Sequence, residues 1–274
     1  MTSARDHATD SPPASPPEPS HAKRLLGFAY GVVCYALFFA TFLYAIGWIG
    51  GFLVPSPLDG EPVAPFWPSL LINVGLLSIF AVQHSVMARP AFKRWFTKFV
   101  PRPLERSTYV LLSSLALILI FWQWRPLGGV IWDIQAPAGR AVMYTIFGAG
   151  WLLVLVATFL INHFDLFGLR QVWLYLRGRK YTPLTFRTPI LYRHVRHPLY
   201  LGWLMAFWAT PTMTGAHLLF ASVTTAYIFV AIQLEERDLI DAHGPDYAEY
   251  RRRVPMIFPF LKRKGRVASP APAA

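Results

Sequence analysis

Hydrophobic positions in this chain fall in long unbroken runs, neither alternating with polar ones nor recurring as a narrow helical stripe. Six runs can be marked, at roughly 25–54, 67–88, 107–124, 140–161, 199–212 and 215–234. The first four approach or exceed the ~20 residues that a helix needs to cross the hydrocarbon core of a bilayer. The last two are shorter and are parted by Pro211, Thr212, Met213, Thr214 and Gly215, which read either as a tight helical hairpin or as a break within one long element. The pattern predicts an all-α fold: a polytopic transmembrane helix bundle of five to six membrane segments, ending in a C-terminal helical hairpin. The first run is too long, and too poorly followed by a small-residue cleavage site, to be a removed signal peptide. Residues 1–24, which contain SPPASPPEPS, and residues 263–274 are Pro/Ser/Ala-rich and are predicted to be disordered tails around a membrane-embedded domain at 25–262.

Charge orients these runs. Of the 26 Lys and Arg, three precede the first run and six lie between the second and third (Arg89, Lys93, Arg94, Lys98, Arg102, Arg106). Seven lie between 162 and 197 and eight follow residue 234, so only Arg125 and Arg140 fall in the alternate loops. By the positive-inside rule the expectation is six crossings with both termini cytoplasmic, in the inner (plasma) membrane of a bacterium. The net charge of +12 is then a topology signal that also attracts anionic headgroups of the lipid bilayer. Because the charge is split among several loops and forms no single stripe, nucleic acid is excluded as a partner. The lone Cys34 permits no intramolecular disulfide and reads as a packing residue.

Against so apolar a background, ionisable residues at membrane depth carry information, since they are costly and tend to face a bundle interior or a wet cavity. Four groups stand out: Gln83 and His84 with Arg89; Asn162, His163, Asp165 and Arg170; the knot YRHVRHPLY at 192–200; and QLEERD at 233–238 with HGPDYAEYRRRVP at 243–255. The predicted topology brings all four to the same cytoplasmic face. A polar pocket there, walled by apolar helices, suits a reaction between a water-soluble cofactor and a lipid-soluble or volatile partner. Simpler readings stand beside this one. His84 and His163 can be interface or helix-bonding histidines, Asp165 and Arg170 can be a loop-ordering ion pair, and the arginines at 251–253 can be headgroup contacts. Glu235 and Glu236, at the expected C-terminus of the last run, would oppose the helix dipole and so call for a compensating cation. No metal site is predicted: there is no cysteine pair, and Pro198 keeps His194 and His197 from sharing one helical face.

The stretch RHPLYLG at 196–202, followed by EERDL at 235–239, GPDYAEY at 244–250 and RVP at 253–255, resembles the C-terminal module of the isoprenylcysteine carboxyl methyltransferase and phospholipid methyltransferase superfamily. QHSVMARPAFKRW at 83–95, ERSTYVL at 105–111, NHFDLFGLRQVW at 162–173 and FWATPTMTGAHLLFA at 207–221 are similar to its nurim-like branch, and within that branch to the bacterial methanethiol S-methyltransferases. The likeness covers roughly residues 25–262. It implies a membrane enzyme that uses S-adenosyl-L-methionine (SAM) to convert methanethiol, a small volatile thiol, to dimethyl sulfide, with a cofactor pocket at the cytoplasmic face. It also implies that Tyr192, His197, Tyr200 and one of Glu235 or Glu236 contact SAM. His194 and Arg196 suit the cofactor carboxylate, and Pro198 opens the following helix as a first-turn residue. The prenylcysteine enzymes carry an arginine about one turn before the paired glutamates; this chain has VAIQL at 230–234. That departure disfavours an acidic prenylcysteine substrate and favours a neutral thiol. The alternatives are methylation of a lipid amine or another lipophilic thiol, and a non-catalytic membrane protein of the nurim type.

A thiol reacts as its thiolate, so a general base or a cationic setting is expected near the sulfur. His163 and His84 are the candidate catalytic bases, with Asp165 either orienting His163 or pairing with Arg170. The sequence leaves the oligomeric state undefined.

Overall fold

The computed structural model describes residues 19–184 and 188–259; most of the two expected tails lies outside the described residues. In chain order the helices are α1 (His21–Gly50), α2 (Phe66–Ala88), α3 (Pro90–Phe96), α4 (Arg102–Gln123), α5 (Pro137–Ile161), α6 (His163–Leu166), α7 (Leu169–Leu176), α8 (Pro198–Trp208), α9 (Gly215–His243) and α10 (Pro245–Arg253). Two short strands, β1 (Val130–Asp133) and β2 (Thr212–Thr214), complete the order. Proline occupies the first turn of α3, α4, α5, α8 and α10, where its missing N–H has no intrahelical partner to lose. α1 starts at His21, capped by the Ser20 side chain, four residues before the expected boundary, and closes on Gly51 at φ +74°.

Five helices, α1, α2, α4, α5 and α9, are long and apolar enough to cross a membrane. No more than 44% of any of their most apolar windows is buried within the protein. Large side chains such as Leu71, Trp122 and Leu152 stand outward, so these faces are built for lipid and the chain is an integral membrane protein. The fifth apolar run differs. α8 has 11 residues, a rise of about 16 Å, roughly half of a ~30 Å core. It begins level with Glu236, since His197 Nε2 lies 3.1 Å from that carboxylate, and the stretch after it returns to the start of α9. α9 needs the whole helical span from Gly215 to Glu236 to cover the same distance. Between α5 and α9 the chain thus has a half-length helix followed by residues 209–214, and Pro211 prevents α8 from running further.

What holds the half-helix is its contact with α5. A Cβ placed on Gly150 would sit 2.7 Å from the Ala206 nitrogen and 2.8 Å from the Gly202 oxygen, and one on Gly202 would sit 2.8 Å from the Gly150 oxygen. The two backbones touch, a packing that only small residues allow. The surrounding core is aromatic, with Trp48, Phe121, Trp124, Trp151, Phe207 and Phe220 drawn from α1, α4, α5, α8 and α9.

The connections at one end of the bundle are clasped together. β1, between α4 and α5, pairs antiparallel with β2, between α8 and α9, with Val130 opposite Thr214 and Asp133 opposite Thr212. Asp59, in the α1–α2 connection, accepts from the Thr214 hydroxyl and from His217 Nδ1 at 2.7 Å, while His217 Nε2 meets the Phe207 carbonyl at 2.9 Å. Leu58 N donates to Trp48 O, closing the same connection. The opposite end receives all four polar groups singled out in the sequence.

Candidate functional site

At that end a 3-10 turn, Ile190–Arg193, leads into His194–His197, and Pro198 then starts α8. The segment is pinned by two backbone bonds to the chain beyond α10, Arg196 N to Pro255 O at 2.9 Å and His197 N to Met256 O at 3.1 Å. Tyr250 adds a third tie, its hydroxyl donating to Tyr192 O at 2.6 Å. Chiefly through burial, that phenol is pushed up to about 12, so it stays a donor at any working pH.

Glu235 and Glu236 do not end their helix, as expected from the apolar run; α9 continues to His243 because QLEERDLIDAH is made largely of good helix formers. Adjacent helical residues point about 100° apart, and the two carboxylates have different surroundings. Glu236 is 2% exposed and is enclosed by cations. Arg196 Nε donates to its Oε1 at 2.7 Å, His197 Nε2 lies 3.1 Å from the same oxygen, and Arg251 Nε donates to Oε2 at 2.9 Å. Arg196 Nη1 also reaches the Arg251 and Val254 carbonyls. The compensating cations that the sequence called for are thus present, and they saturate Glu236. Glu235 is half-buried and accepts one bond, from the Tyr200 hydroxyl at 2.9 Å to Oε2. Its electrostatic neighbour Tyr192 has a buried hydroxyl that finds no hydrogen-bond partner among the described residues. Burial first, and the Glu235 carboxylate second, push that phenol above the ordinary tyrosine range and keep it protonated. His194 points away from these groups, its Nδ1 3.0 Å from Ile190 O on the exposed side.

A second polar group adjoins the first. His84, near the end of α2, has Nε2 2.8 Å from the Tyr109 hydroxyl and Nδ1 3.2 Å from Ser113 Oγ, both on α4. Phe80 stacks on the His84 ring and meets Tyr227 of α9 edge-on; the Tyr227 hydroxyl in turn lies 3.1 Å from Ser85 Oγ. Arg89 pairs with Asp238 at 2.9 Å, so the ends of α2 and α9 are laced together. The Ser85–Tyr227 and Arg89–Asp238 contacts tie the His84 end of α2 to α9, the helix that carries Glu235.

The third group is separate. His163 is buried, with Nδ1 2.8 Å from Thr158 Oγ1 and Nε2 2.8 Å from the Tyr35 hydroxyl. Thr158 spends its own proton on Leu155 O at 2.7 Å, so Nδ1–H donates to Thr158 and Nε2 accepts from Tyr35. Phe159 stacks on the ring at 4.3 Å, and the stacked pair Phe38 and Phe167 stands between this histidine and the Tyr109 side. Burial lowers its pKa, favouring the neutral ring. Asp165 does not orient His163. It pairs with Arg170 at 2.8 Å and accepts from Tyr181, while Arg170 also holds Thr182, the loop-ordering arrangement weighed from the sequence.

Several residues of these groups went unremarked in the sequence. Arg106, Tyr109 and Ser113 fall at i, i+3 and i+7 of α4, one polar stripe on an apolar helix, and that spacing was readable. Arg251 was expected as a headgroup contact, Tyr250 was given no role of its own, and Asp59 with His217 gave no local signal because they meet across 158 residues.

The fold defines a multi-pass membrane protein with two polar groups gathered at one end of its helix bundle. Comparison with known sequences gives its family: residues 72–253 match the NnrU protein family, and the chain belongs to it. It is 57% identical over 245 residues to a methanethiol S-methyltransferase of Crocosphaera subtropica, covering 89% of this chain and 96% of that one. It is 54% identical to a methanethiol S-methyltransferase of Mycobacterium tuberculosis, over 88% of this chain and 99% of the relative. Nurim of Mus musculus is more distant, 33% identical over 62% of this chain and 68% of its own length. No solved structure matches. The names of the nearer relatives support a methyltransferase of that kind.

Proposed function

We propose that this protein transfers a methyl group from SAM to methanethiol, giving dimethyl sulfide, at the membrane face that carries the basic loops, and that this face is cytoplasmic. The observation that carries the reading is the nearness of Glu235, which accepts a side-chain bond from Tyr200, to a buried Tyr192 hydroxyl that has no hydrogen-bond partner among the described residues. A buried polar hydroxyl left without a bond is costly in a finished structure, and a ligand group is the natural partner. Glu235 suits a ribose diol or the amino-acid ammonium, and the rings of Tyr192 and Tyr200 suit a sulfonium. SAM, when bound, supplies an electrophilic methyl on a positively charged sulfur.

In this reading the chain's own residues divide the work. Glu235, Tyr192 and Tyr200 hold the cofactor directly. Arg196, His197 and Arg251 hold Glu236, and through it fix α10 and the His194–His197 segment against α9; Pro198 presents the start of α8 beside them. Methyl transfer between two bound partners is chiefly a matter of alignment and exclusion of water, which the aromatic walls around Tyr200 provide. Of the two candidate bases, His84 is the one whose helix end is tied to α9, the helix that carries Glu235; His163 has both ring nitrogens engaged behind an aromatic layer, with Asp165 and Arg170 bracing the loop above it. A neutral volatile thiol would enter from the lipid side.

The decisive experiment is headspace gas analysis of membranes that contain the protein, supplied with SAM and methanethiol. Dimethyl sulfide well above membranes lacking the protein is expected, and at limiting SAM it should fall about 10-fold or more in Glu235→Gln with the protein still present. No dimethyl sulfide from the wild type would overturn the reading.

A further inference from the structure

We infer that Tyr109 is the residue that takes the proton from the thiol and relays it to His84; the inference rests on the function proposed above. Three observations lead to it. The Tyr109 hydroxyl sits 2.8 Å from His84 Nε2, while Nδ1 faces Ser113 Oγ at 3.2 Å. Ser113 Oγ is also approached by Gln83 Nε2 at 3.4 Å. With Nδ1–H directed at Ser113, Nε2 is the acceptor, and Tyr109 donates its proton to it. The phenol oxygen then keeps lone pairs that no described group fills. The same hydroxyl lies 3.1 Å from Nδ1, so it sits across one edge of the ring.

The third observation is electrostatic. The Arg106 guanidinium lies over the Tyr109 ring, 5.2 Å from its centroid, held there by a 2.7 Å bond from Nε to Leu166 O. A fixed cation beside a phenol favours any negative charge that develops on its oxygen or on an atom hydrogen-bonded to it. The departing arginine of the prenylcysteine pattern is thus matched by a different cation, on a different helix, placed beside the hydroxyl and not beside the glutamates.

The step balances as follows. The thiol S–H donates to Tyr109 Oη as sulfur attacks the methyl carbon. The S–C bond to the new methyl forms, and the bond from that methyl to the cofactor sulfonium breaks. The thiol proton passes to Tyr109, whose own proton passes to His84 Nε2. Two neutral sulfides result, with the proton left on His84 to be released to water.

The test compares two nucleophiles in purified enzyme. Hydrosulfide is smaller than methanethiol, so a site that admits the thiol has room for it, and at mildly alkaline pH it is already largely ionised. Tyr109→Phe and His84→Gln should each lower kcat for methanethiol by about 100-fold or more, the usual contribution of a positioned acid–base group, while the affinity for SAM stays near wild type. The double variant should be no slower than the worse single one, because residues that act as a unit are not additive. Hydrosulfide turnover should lose far less in both variants. The relay is overturned if Tyr109→Phe keeps wild-type kcat with methanethiol, if the two losses multiply, or if both nucleophiles suffer equally together with a loss of SAM affinity. A wild-type protein that methylates neither nucleophile sinks the proposed function itself, a result distinguishable from all of these.

Discussion

Replacing Glu236 with glutamine keeps the shape of the side chain and removes its charge, and the structure says what that costs. The carboxylate is 2% exposed, and Arg196 and His197 beside it are almost as deeply buried. Breaking a buried ion pair from one side costs about 3–5 kcal/mol, because the partner charge stays behind without compensation. The Arg251 contact adds little: its side chain is 42% exposed, and pairs so open to solvent contribute about 0–1 kcal/mol. Arg196 also retains two carbonyl acceptors, on Arg251 and Val254, which puts the expectation at the lower end, about 3 kcal/mol. For a unit of this size that corresponds to a fall in Tm of roughly 6–12 °C.

Glu235→Gln should behave in the opposite way. It loses the charge on one bond from Tyr200 in a half-buried setting, about 1 kcal/mol, and Tm should hardly move. Its cost falls on the cofactor, about 10- to 100-fold in the Kd for SAM if one charge-assisted bond is lost. Thermal melting in detergent, paired with calorimetric SAM titration, reads both quantities on both variants. If Glu236→Gln melts with the wild type yet has lost SAM, while Glu235→Gln melts early and still binds it, the assignment of the two carboxylates is reversed and the argument from saturation is wrong.

Other parts of the structure make their own predictions. Gly202→Val should prevent α8 from lying against α5, since even a Cβ there meets the Gly150 oxygen at 2.8 Å; a loss of folded, monodisperse protein on gel filtration is expected, and a well-folded variant would contradict the backbone contact. His163 is held neutral by burial, so the folded protein binds its proton less readily than the unfolded chain. Its contribution to stability should be complete above the ordinary histidine pKa of about 6.5 and decline as the pH falls below it. His163→Gln should flatten that part of a Tm-against-pH curve, and an unchanged slope would count against the buried neutral ring. Asp59→Ala removes the carboxylate that holds buried His217 and should cost about 3 kcal/mol, seen as a lower Tm with unchanged KM for SAM, because the clasp lies at the end of the bundle away from the site.

How much of this was legible in the sequence depended on whether the signal was local. Long apolar runs located all five membrane helices, because crossing a bilayer imposes a minimum length on consecutive side chains, but α9 runs nine residues past its apolar run, to His243. α8 was the exception. Its run is cut by Pro211, and whether 11 helical residues can pack into the bundle depends on Gly150, a residue 52 positions before Gly202 that the run itself does not contain. The polar groups were legible as exceptions to an apolar background, and the structure gathers three of the four at one place. Their division of labour was not legible. Glu235 and Glu236 are the same residue type at adjacent positions, and only the partners, 35 and 40 residues upstream, tell them apart.

That difference has a consequence for reading related chains. In a pair of adjacent glutamates on a helix, one side chain leaves the axis about 100° away from the other, so the two can meet different surroundings. One of the two is then available to serve the fold. Here the buried one is identified by its arginines: Arg196 comes from the segment before α8 and Arg251 from α10, and their joint hold on Glu236 is what keeps Tyr192 and Tyr250 in register. The site thus depends on a charge that need not touch either substrate. A substitution at Arg196, the buried arginine on Glu236, should loosen α10 and raise KM for SAM, whereas the same change at exposed Arg252, which pairs within α10 to Glu249, should not.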